Sequence, residues 1–554
     1  ENLRYPKEKG VNSNSWRSHT CGQLRAEHVG GHVRLCGWLG HRRLGRFLLL
    51  RDAYGVTQCL VPDHVTLPNL DTIPLESVLE VRGQPTGEVE VVVADLRLLN
   101  SATFQPFAVR NYNKAKEHLR LQHRYVDLRF PEMQYNLRTR SDMLMKMRKY
   151  LCDDHSFVEV ETPTLFGRTP GGAQEFVVPT RHKGQFYSLV QSPQQFKQML
   201  MAGSIDRYFQ VARCYRDETI RSDRQPEFTQ LDVEMSFAGR EEILGLMEGL
   251  LQACWPRPLP RILPRLTYQQ AMSRYGSDKP DVSYGKGPSS GITPAFRKQL
   301  QLYADETHPK TKCFVIKIKD PLDKWFTSKL NTVLGEDVMR NLAAKLELSQ
   351  DDLLILAYGP EEETCLCLGD LRIRLAEDLE SRQALNRLAG DHPLWVVDFP
   401  LFLRGSQGQM ETCHHPFTAP NADDEHLLAT DPFKVRSLAY DLVMNGSEVG
   451  GGSVRVHSPG QQEELLNMLG LPVGPLEHFM NALRSGCPPH AGIALGLDRL
   501  VSIACGATSI RDVIAFPKSL EGRDPLSGAP APLSDHERNI YHLPVPDEQI
   551  SKIK

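Results

Sequence analysis

No Cys-x-x-Cys pair occurs anywhere in this sequence, although it holds twelve cysteines. Cysteines scattered singly argue against a zinc site and against a disulfide framework. They read as reduced packing residues in a non-oxidising compartment. Cys365 and Cys367 alternate in "ETCLCLG", a spacing that predicts two thiols on one face of a strand. No run of about twenty apolar residues is present, so no membrane span is expected. Charge of one sign is missing as well: 65 Lys and Arg stand against 68 Asp and Glu, a net of −3. Bulk charge therefore announces no nucleic-acid partner, which has to be sought in local patches. The opening "ENLRYPKEKGVNSNSW" has neither the apolar core of a signal peptide nor an Arg/Ser-rich transit pattern. A presequence removed earlier would leave the same start.

What the chain does contain is length and pattern. Its 554 residues exceed one hydrophobic core and predict about three or four domains. Residues 1–19 read as a tail. Residues 20–107 hold five short strand patterns, "HVRLCGWL", "RFLLLRD", "GVTQCLV", "SVLEVRGQ" and "GEVEVVVADLRLL", separated by turn signals. Five strands in so short a span suit an OB-type barrel, a common binder of single-stranded nucleic acid. Residues 108–134 are polar and basic, as in a hinge.

A helix follows in "YNLRTRSDMLMKMRKYLCDDHSF", where Met143, Met147 and Leu151 make one buried stripe. Its Arg and Lys positions read as a solvated face. The span 135–284 mixes strands and helices, including two strands, "YFQVARCYRDE" and "QPEFTQLDVEMSF", and a helix, "REEILGLMEGLLQACW". Residues 285–390 change character and carry no chemical motif. Strand patterning returns in "LWVVDFPLFL" within 391–517. The extension 518–554 is rich in Pro, Ser and Gly and reads as irregular.

Three segments carry chemistry. In "YFQVARCYRDETIRSDRQPEFTQLDVEMSF" an Arg-x-Glu ends one strand and Phe228 starts the next. A nucleoside triphosphate needs cations at its phosphates and a flat apolar surface for its purine. Arg216 can meet a phosphate with two parallel hydrogen bonds, Glu218 can accept from an adenine amino group, and Phe228 can stack. In "GIALGLDRL" small residues allow close backbone approach, and Arg499 follows in a helical pattern. In "FVEVETPTL", Pro163 ends a helix-then-strand unit. Each alone has a bland reading: a surface ion pair, an ordinary helix start, a turn.

In this order the three resemble motifs 1, 2 and 3 of the class II aminoacyl-tRNA synthetases. The resemblance implies an α+β fold: an antiparallel catalytic sheet flanked by helices, acting as a homodimer and forming adenylates with ATP. It implies an ATP site of Arg216, Asp217, Glu218, Gln225, Phe228, Glu448, Gly496, Leu497, Asp498 and Arg499, with Arg216, Glu218 and Arg499 catalytic. Asp441 and Glu448 fall on the positions that hold Mg²⁺ with the nucleotide.

Other stretches are similar to the aspartyl members of that class. They are "QSPQQFKQ", "CHHPFTAP" and "YDLVMNGSEVGGGSVRVH". By that likeness an L-aspartate site comprises Gly171, Ser192, Gln194, Gln195, Phe196, Lys197, Arg216, Asp232, His414, His415 and Arg455. The chemistry agrees, because a β-carboxylate wants fixed cations and Lys197 and Arg455 supply them. Asparagine would leave a buried charge unpaired, at a cost of roughly 3–5 kcal/mol. One departure stands out. "RTPGGAQEF", residues 168–176, matches the family's mobile loop over the aspartate pocket, where many bacterial relatives have "TPEGA". Gly171 replaces that Glu here, leaving Glu175 as a weak substitute.

The barrel resembles the family's anticodon-binding domain. Phe47, Gln58 and Glu90 match positions that stack on or hydrogen-bond anticodon bases of tRNA-Asp. Arg42, Arg43 and Arg46 are expected to form a local positive patch. The insertion at 285–390 looks like the extra α+β domain of bacterial-type aspartyl enzymes. "TPGGA" with "QSPQQFKQ" looks like the animal mitochondrial branch, which implies the mitochondrial matrix. Two other readings remain open: an enzyme that also charges tRNA-Asn, and a catalytically inactive RNA-binding paralogue. Intact Arg216, Glu218, Glu448 and Arg499 argue against the second.

Overall fold

The computed structural model describes residues 12–544, apart from 66–69, 88–89, 110–113, 285–291, 319–322, 327–330, 351 and 406. The joins "VRGQPTGEV" and "YGKGPSSGITPAF" fall partly outside the described residues.

The first five strands close into a barrel. They are Val33–Arg43, Phe47–Arg51, Val56–Leu60, Val78–Pro85 and Glu90–Asn100. The third and fifth pair parallel and the first and fourth antiparallel, which closes the ring. Alternation decides which side chains fill it: Leu48 and Leu50 are fully buried, while Phe47, Leu49 and Arg51 point outward. Closure removes the exposed edges that so small a sheet would otherwise present.

The body is built on an eight-stranded sheet. Its order is Arg265–Thr267, Pro393–Val397, Ala439–Met444, Ser447–Val454, His490–Gly496, Glu227–Ser236, Arg207–Tyr215 and Val158–Glu159. The six central strands run antiparallel, and a parallel pairing sits at each end. One face of the sheet carries Leu231, Val233, Ile493 and Leu495. Helix Arg240–Cys254 covers that face with Ile243, Met247, Leu250 and Leu251, spaced for a single apolar stripe. Helix Pro131–Lys149 adds Met143 and Met147. Each such buried side chain contributes about 1.5–3 kcal/mol. The opposite face of the sheet is polar, and the site lies there.

The basic positions of helix Pro131–Lys149 do more than face solvent. Arg140 pairs with Asp498, and Arg138 lies 4.7 Å from the Tyr54 ring of the barrel. The insertion is a small α+β unit: strands Lys312–Lys317 and Leu353–Tyr358 pair antiparallel beside helices Pro294–Thr307, Glu336–Leu346 and Glu361–Ser381. Here one expectation is corrected. Cys365 and Cys367 lie in the last of these helices, not in a strand. Pro360 and three glutamates at its start favour a helix N-terminus over the short local alternation. The C-terminal extension also holds a helix, Asp535–Tyr541, capped by Ser534.

Candidate active site

A cavity of about 1020 Å³ opens over the polar face of the sheet. Strand alternation supplies its floor, where Gln230 and Asp232 line the cavity and Glu234 lies buried just beneath. Gln230, Asp232 and Glu234 point up from Glu227–Ser236 while Leu231 and Val233 point into the core. Glycines make room for these acids on neighbouring strands. A Cβ at Gly492 would come within 2.0 Å of Glu234 Oε2, and one at Gly451 within 2.9 Å of Asp441 Oδ1.

One end of the cavity is an interlocked set of buried charges. Helix Gln194–Ala202 brings Lys197 to 3.0 Å from Asp232 Oδ1 and 3.3 Å from Glu234 Oε2. Arg455 Nε and Nη2 donate to Glu234 at 2.9 and 3.2 Å. Its Nη1 donates to Ser453 Oγ at 2.7 Å and to His415 Nε2 at 2.6 Å. Burial drives the His415 proton off, and the nearby charges of Arg455, His414 and Lys197 push the same way. The neutral ring then has a lone pair for Arg455. Burial pushes the Glu234 carboxyl up, but Arg455 and Lys197 outweigh it and hold it down at about 2. Asp232 faces a single cation at close range, so burial prevails and its pKa rises above the carboxylate norm. Its Oδ2 has no protein partner.

The other end is looser. Arg216 lies 5.2 Å from the Phe228 ring centroid, and its Nε is unpartnered. Glu218 meets Arg224 at 3.4 Å. Arg499, in the first turn of helix Leu497–Cys505, donates to the Glu448 carbonyl at 2.9 Å and pairs with Asp223 at 3.2 Å. Between the two ends, Asp441 pairs with His414 at 3.0 Å and Glu448 with Lys279 at 3.1 Å. Burial opposes a charge on His414, but Asp441 beside it raises its pKa to about 10.

Asp441 Oδ1 and Glu448 Oε1 converge above Gly451, at 2.9 and 3.7 Å from one point there. Two carboxylates lining the cavity suit Mg²⁺, which typically takes one or two protein oxygens and completes its shell with phosphates and water. Among the described residues, no group of three His, Cys, Asp or Glu forms a closed metal cage.

Most of the residues expected from the sequence line this cavity. Asp217 and Leu497 do not; Leu497 is buried below the floor. Several others are tied to the protein itself. Asp498 accepts from Thr229 N and pairs with Arg140. Gln225 exchanges two hydrogen bonds with the Lys518 backbone. Gln195 is engaged at both ends of its amide. Glu175 does not substitute for the missing loop carboxylate at the cavity. It is buried and accepts from Thr169 N and Gln191 Nε2. Glu234 and Lys279 were not singled out from the sequence. The signal for Glu234 was present, since three polar residues recur at every second position in "TQLDVEM". Lys279 had none, because only the fold brings it to Glu448.

On the barrel, Phe47, Gln58 and Glu90 share one outward face, and Gln58 Nε2 donates to Glu90 at 2.7 Å. The neighbouring positive patch is weaker than expected. Arg46 pairs with Asp63, and Arg42 donates to the carbonyls of Leu70, Asp71 and Ile73.

Comparison with known proteins agrees with this geometry. The model of the class II tRNA synthetases (D, K and N) matches residues 116–520. The mouse mitochondrial aspartate–tRNA ligase is 46% identical, over 96% of this chain and 89% of that protein. An aspartate–tRNA(Asp/Asn) ligase from Opitutus terrae is 39% identical, over 95% and 99%. Asparaginyl-tRNA synthetase from Pyrococcus horikoshii, solved with asparaginyl-adenylate, shares the fold at a TM-score of 0.61 and 18% identity, over 90% of this chain and 98% of that one. The family model spans both the charged cavity and the sheet beneath it, and on that basis the chain belongs to the class II aminoacyl-tRNA synthetases, in the aspartate–tRNA ligase family.

Proposed function

We propose that this enzyme activates L-aspartate with ATP and transfers it to the 3′-terminal adenosine of tRNA-Asp in mitochondrial translation. The observation that carries the reading is the buried Lys197–Asp232–Glu234–Arg455 set at one end of the cavity. Two fixed cations suit the substrate's β-carboxylate, and the unpartnered Asp232 Oδ2 suits its ammonium. At the other end Arg216 and Arg499 suit phosphates, and Phe228 offers the purine a stacking surface.

The first step needs no side-chain base. The substrate α-carboxylate is already ionised and attacks the ATP α-phosphorus; the bond to the bridging oxygen breaks and pyrophosphate leaves. The residues hold the two reactants in line and stabilise the charge that develops on the phosphoryl oxygens. Mg²⁺, held by Asp441 and Glu448, would neutralise phosphate charge. The tRNA 3′-hydroxyl then attacks the mixed anhydride and releases AMP. Phe47, Gln58 and Glu90 offer the anticodon one stacking surface and two polar contacts.

The mammalian relatives named mitochondrial support a mitochondrial enzyme, and the matrix follows as the site of that translation. A homodimer is supported by the class and by an apolar surface. A small three-stranded sheet exposes Leu165 and Tyr187 on one face and Val177 and Phe186 on the other, apolar surface available to a second copy. Aspartate-dependent ATP–pyrophosphate exchange tests the central reading; its absence would remove it. The second reading, a relaxed enzyme, is favoured by the Opitutus relative that charges both tRNAs by name. Comparable aminoacylation rates on purified tRNA-Asp and tRNA-Asn would establish it.

A further inference from the structure

The loop 168–176 over the aspartate end is held from beneath by residues 471–484, a segment that touches the cavity only through Leu471. At the loop's tip, Gly171 has φ +74°, and a Cβ there would come within 2.7 Å of Leu471 Cδ1. At its base, Thr169 Oγ1 accepts from Gln195 Nε2 at 3.0 Å. The other end of that amide, Gln195 Oε1, accepts from His478 Nε2 at 2.8 Å. Gln195 is 6% exposed, so its amide is largely screened from water, while His478 stands at the surface. Phe166, just before the loop, packs edge-on against both Phe196 and His478, at 4.6 and 5.5 Å between centroids.

His478 is fixed in turn. It stands in the first turn of helix Glu477–Arg484, whose Phe479, Met480 and Leu483 are buried in one cluster with Leu471 and Met199 partly buried against it. Met199 belongs to the same helix as Lys197. The loop's far half has its own ties: Gln191 Oε1 accepts from Ala173 N at 2.8 Å, and Asp217 N donates to the Gln174 carbonyl. Removing His478 therefore leaves that amide oxygen without its protein partner. An amide that turns to recover a partner lets go of Thr169 Oγ1, which loosens the near half of the loop onto its remaining Thr169 N–Glu175 bond.

We propose that His478 is a positioning residue that sets the seat of loop 168–176, and with it the affinity for the amino acid, acting through Gln195 on Thr169. In this chain Gly171 contributes no side chain to the substrate, so loop position stands in for a direct loop contact. The inference rests on the aspartate reading above. It also gives Gln195 a role in bracing the loop in place of contacting the substrate.

The test is steady-state pyrophosphate exchange on the full-length enzyme, with KM read separately for aspartate and ATP. His478→Phe, which keeps the ring packing and removes the donor, is expected to raise KM for aspartate about tenfold with little change in KM for ATP or kcat. His478→Gln keeps an N–H donor at that place and is expected to stay near the unmodified enzyme. Gln195→Leu should match His478→Phe, and the double variant should be no worse than either single. An unchanged KM for aspartate in His478→Phe overturns the proposal. So does an equal rise in both KM values, which reports general loss of structure. If the unmodified protein shows no aspartate-dependent exchange, the aspartate reading itself fails, whatever the variants do.

Discussion

The two ends of the active-site cavity are built on opposite principles. At the aspartate end, Lys197, Asp232, Glu234 and Arg455 are each no more than 2% exposed, and each closes on another. At the ATP end the charged pairs, Glu218 with Arg224 and Asp223 with Arg499, are only partly buried, with side chains 25–55% exposed. Buried charges are expensive singly and tolerable only as a satisfied set. The amino-acid end is therefore pre-organised before substrate arrives, and that rigidity suits discrimination between near-isosteric substrates. The ATP end carries cations on weak surface pairs, which phosphates can displace at little cost.

This contrast can be broken by mutation. The largest effect is expected from Arg455→Ala, which leaves Glu234 and His415 without their main partner. Aspartate activation should fall by at least about two to four powers of ten, the equivalent of about 3–5 kcal/mol, while ATP binding is largely kept. Pyrophosphate exchange and equilibrium ATP binding would check this, and normal aspartate kinetics would refute it. Next is Phe47→Ala on the barrel. Loss of about 1–3 kcal/mol of base stacking should weaken tRNA charging and spare exchange, and equal loss of both would count against an anticodon role.

A third effect is the share of the acid dependence that Glu234 contributes at the buried end. Glu234 has its folded pKa lowered from 4.5 to about 2. The stability it contributes is present above pH 4.5 and lost as pH falls through about 2. Urea midpoints measured down this window should fall less steeply for Glu234→Gln than for the unmodified chain. Smallest is Asp223→Asn at the open end. As an exposed pair partner it should change stability by less than about 1 kcal/mol, measurable by thermal melting. A stability loss there of about 3–5 kcal/mol, the size expected for breaking a buried pair, would erase the contrast.

Much of this was legible because it is local. The barrel strands, the helix at Arg240–Cys254 and the two strands Arg207–Tyr215 and Glu227–Ser236 follow from periodicity and turn residues. Where local pattern misled, a longer-range rule prevailed. Cys365 and Cys367 alternate like strand residues, yet the acidic start after Pro360 begins a helix. Glu175 looked available to a ligand, but the loop folds its carboxylate inward onto Thr169 and Gln191. Arg42 and Arg46 looked like a phosphate patch, but nearby loop carbonyls and Asp63 take up their donors.

By itself the sequence determined the element types, the order of the chemical segments and the kinds of side chain present, since these depend on neighbours a few positions away. Only the tertiary structure decided which charges share a partner. Glu234 and Arg455 lie 221 positions apart, and Gln195 and His478 lie 283 apart. Those pairings exist because the antiparallel sheet and its covering helices bring distant strands and turns within hydrogen-bond reach. No spacing rule along the chain encodes a contact made across a fold.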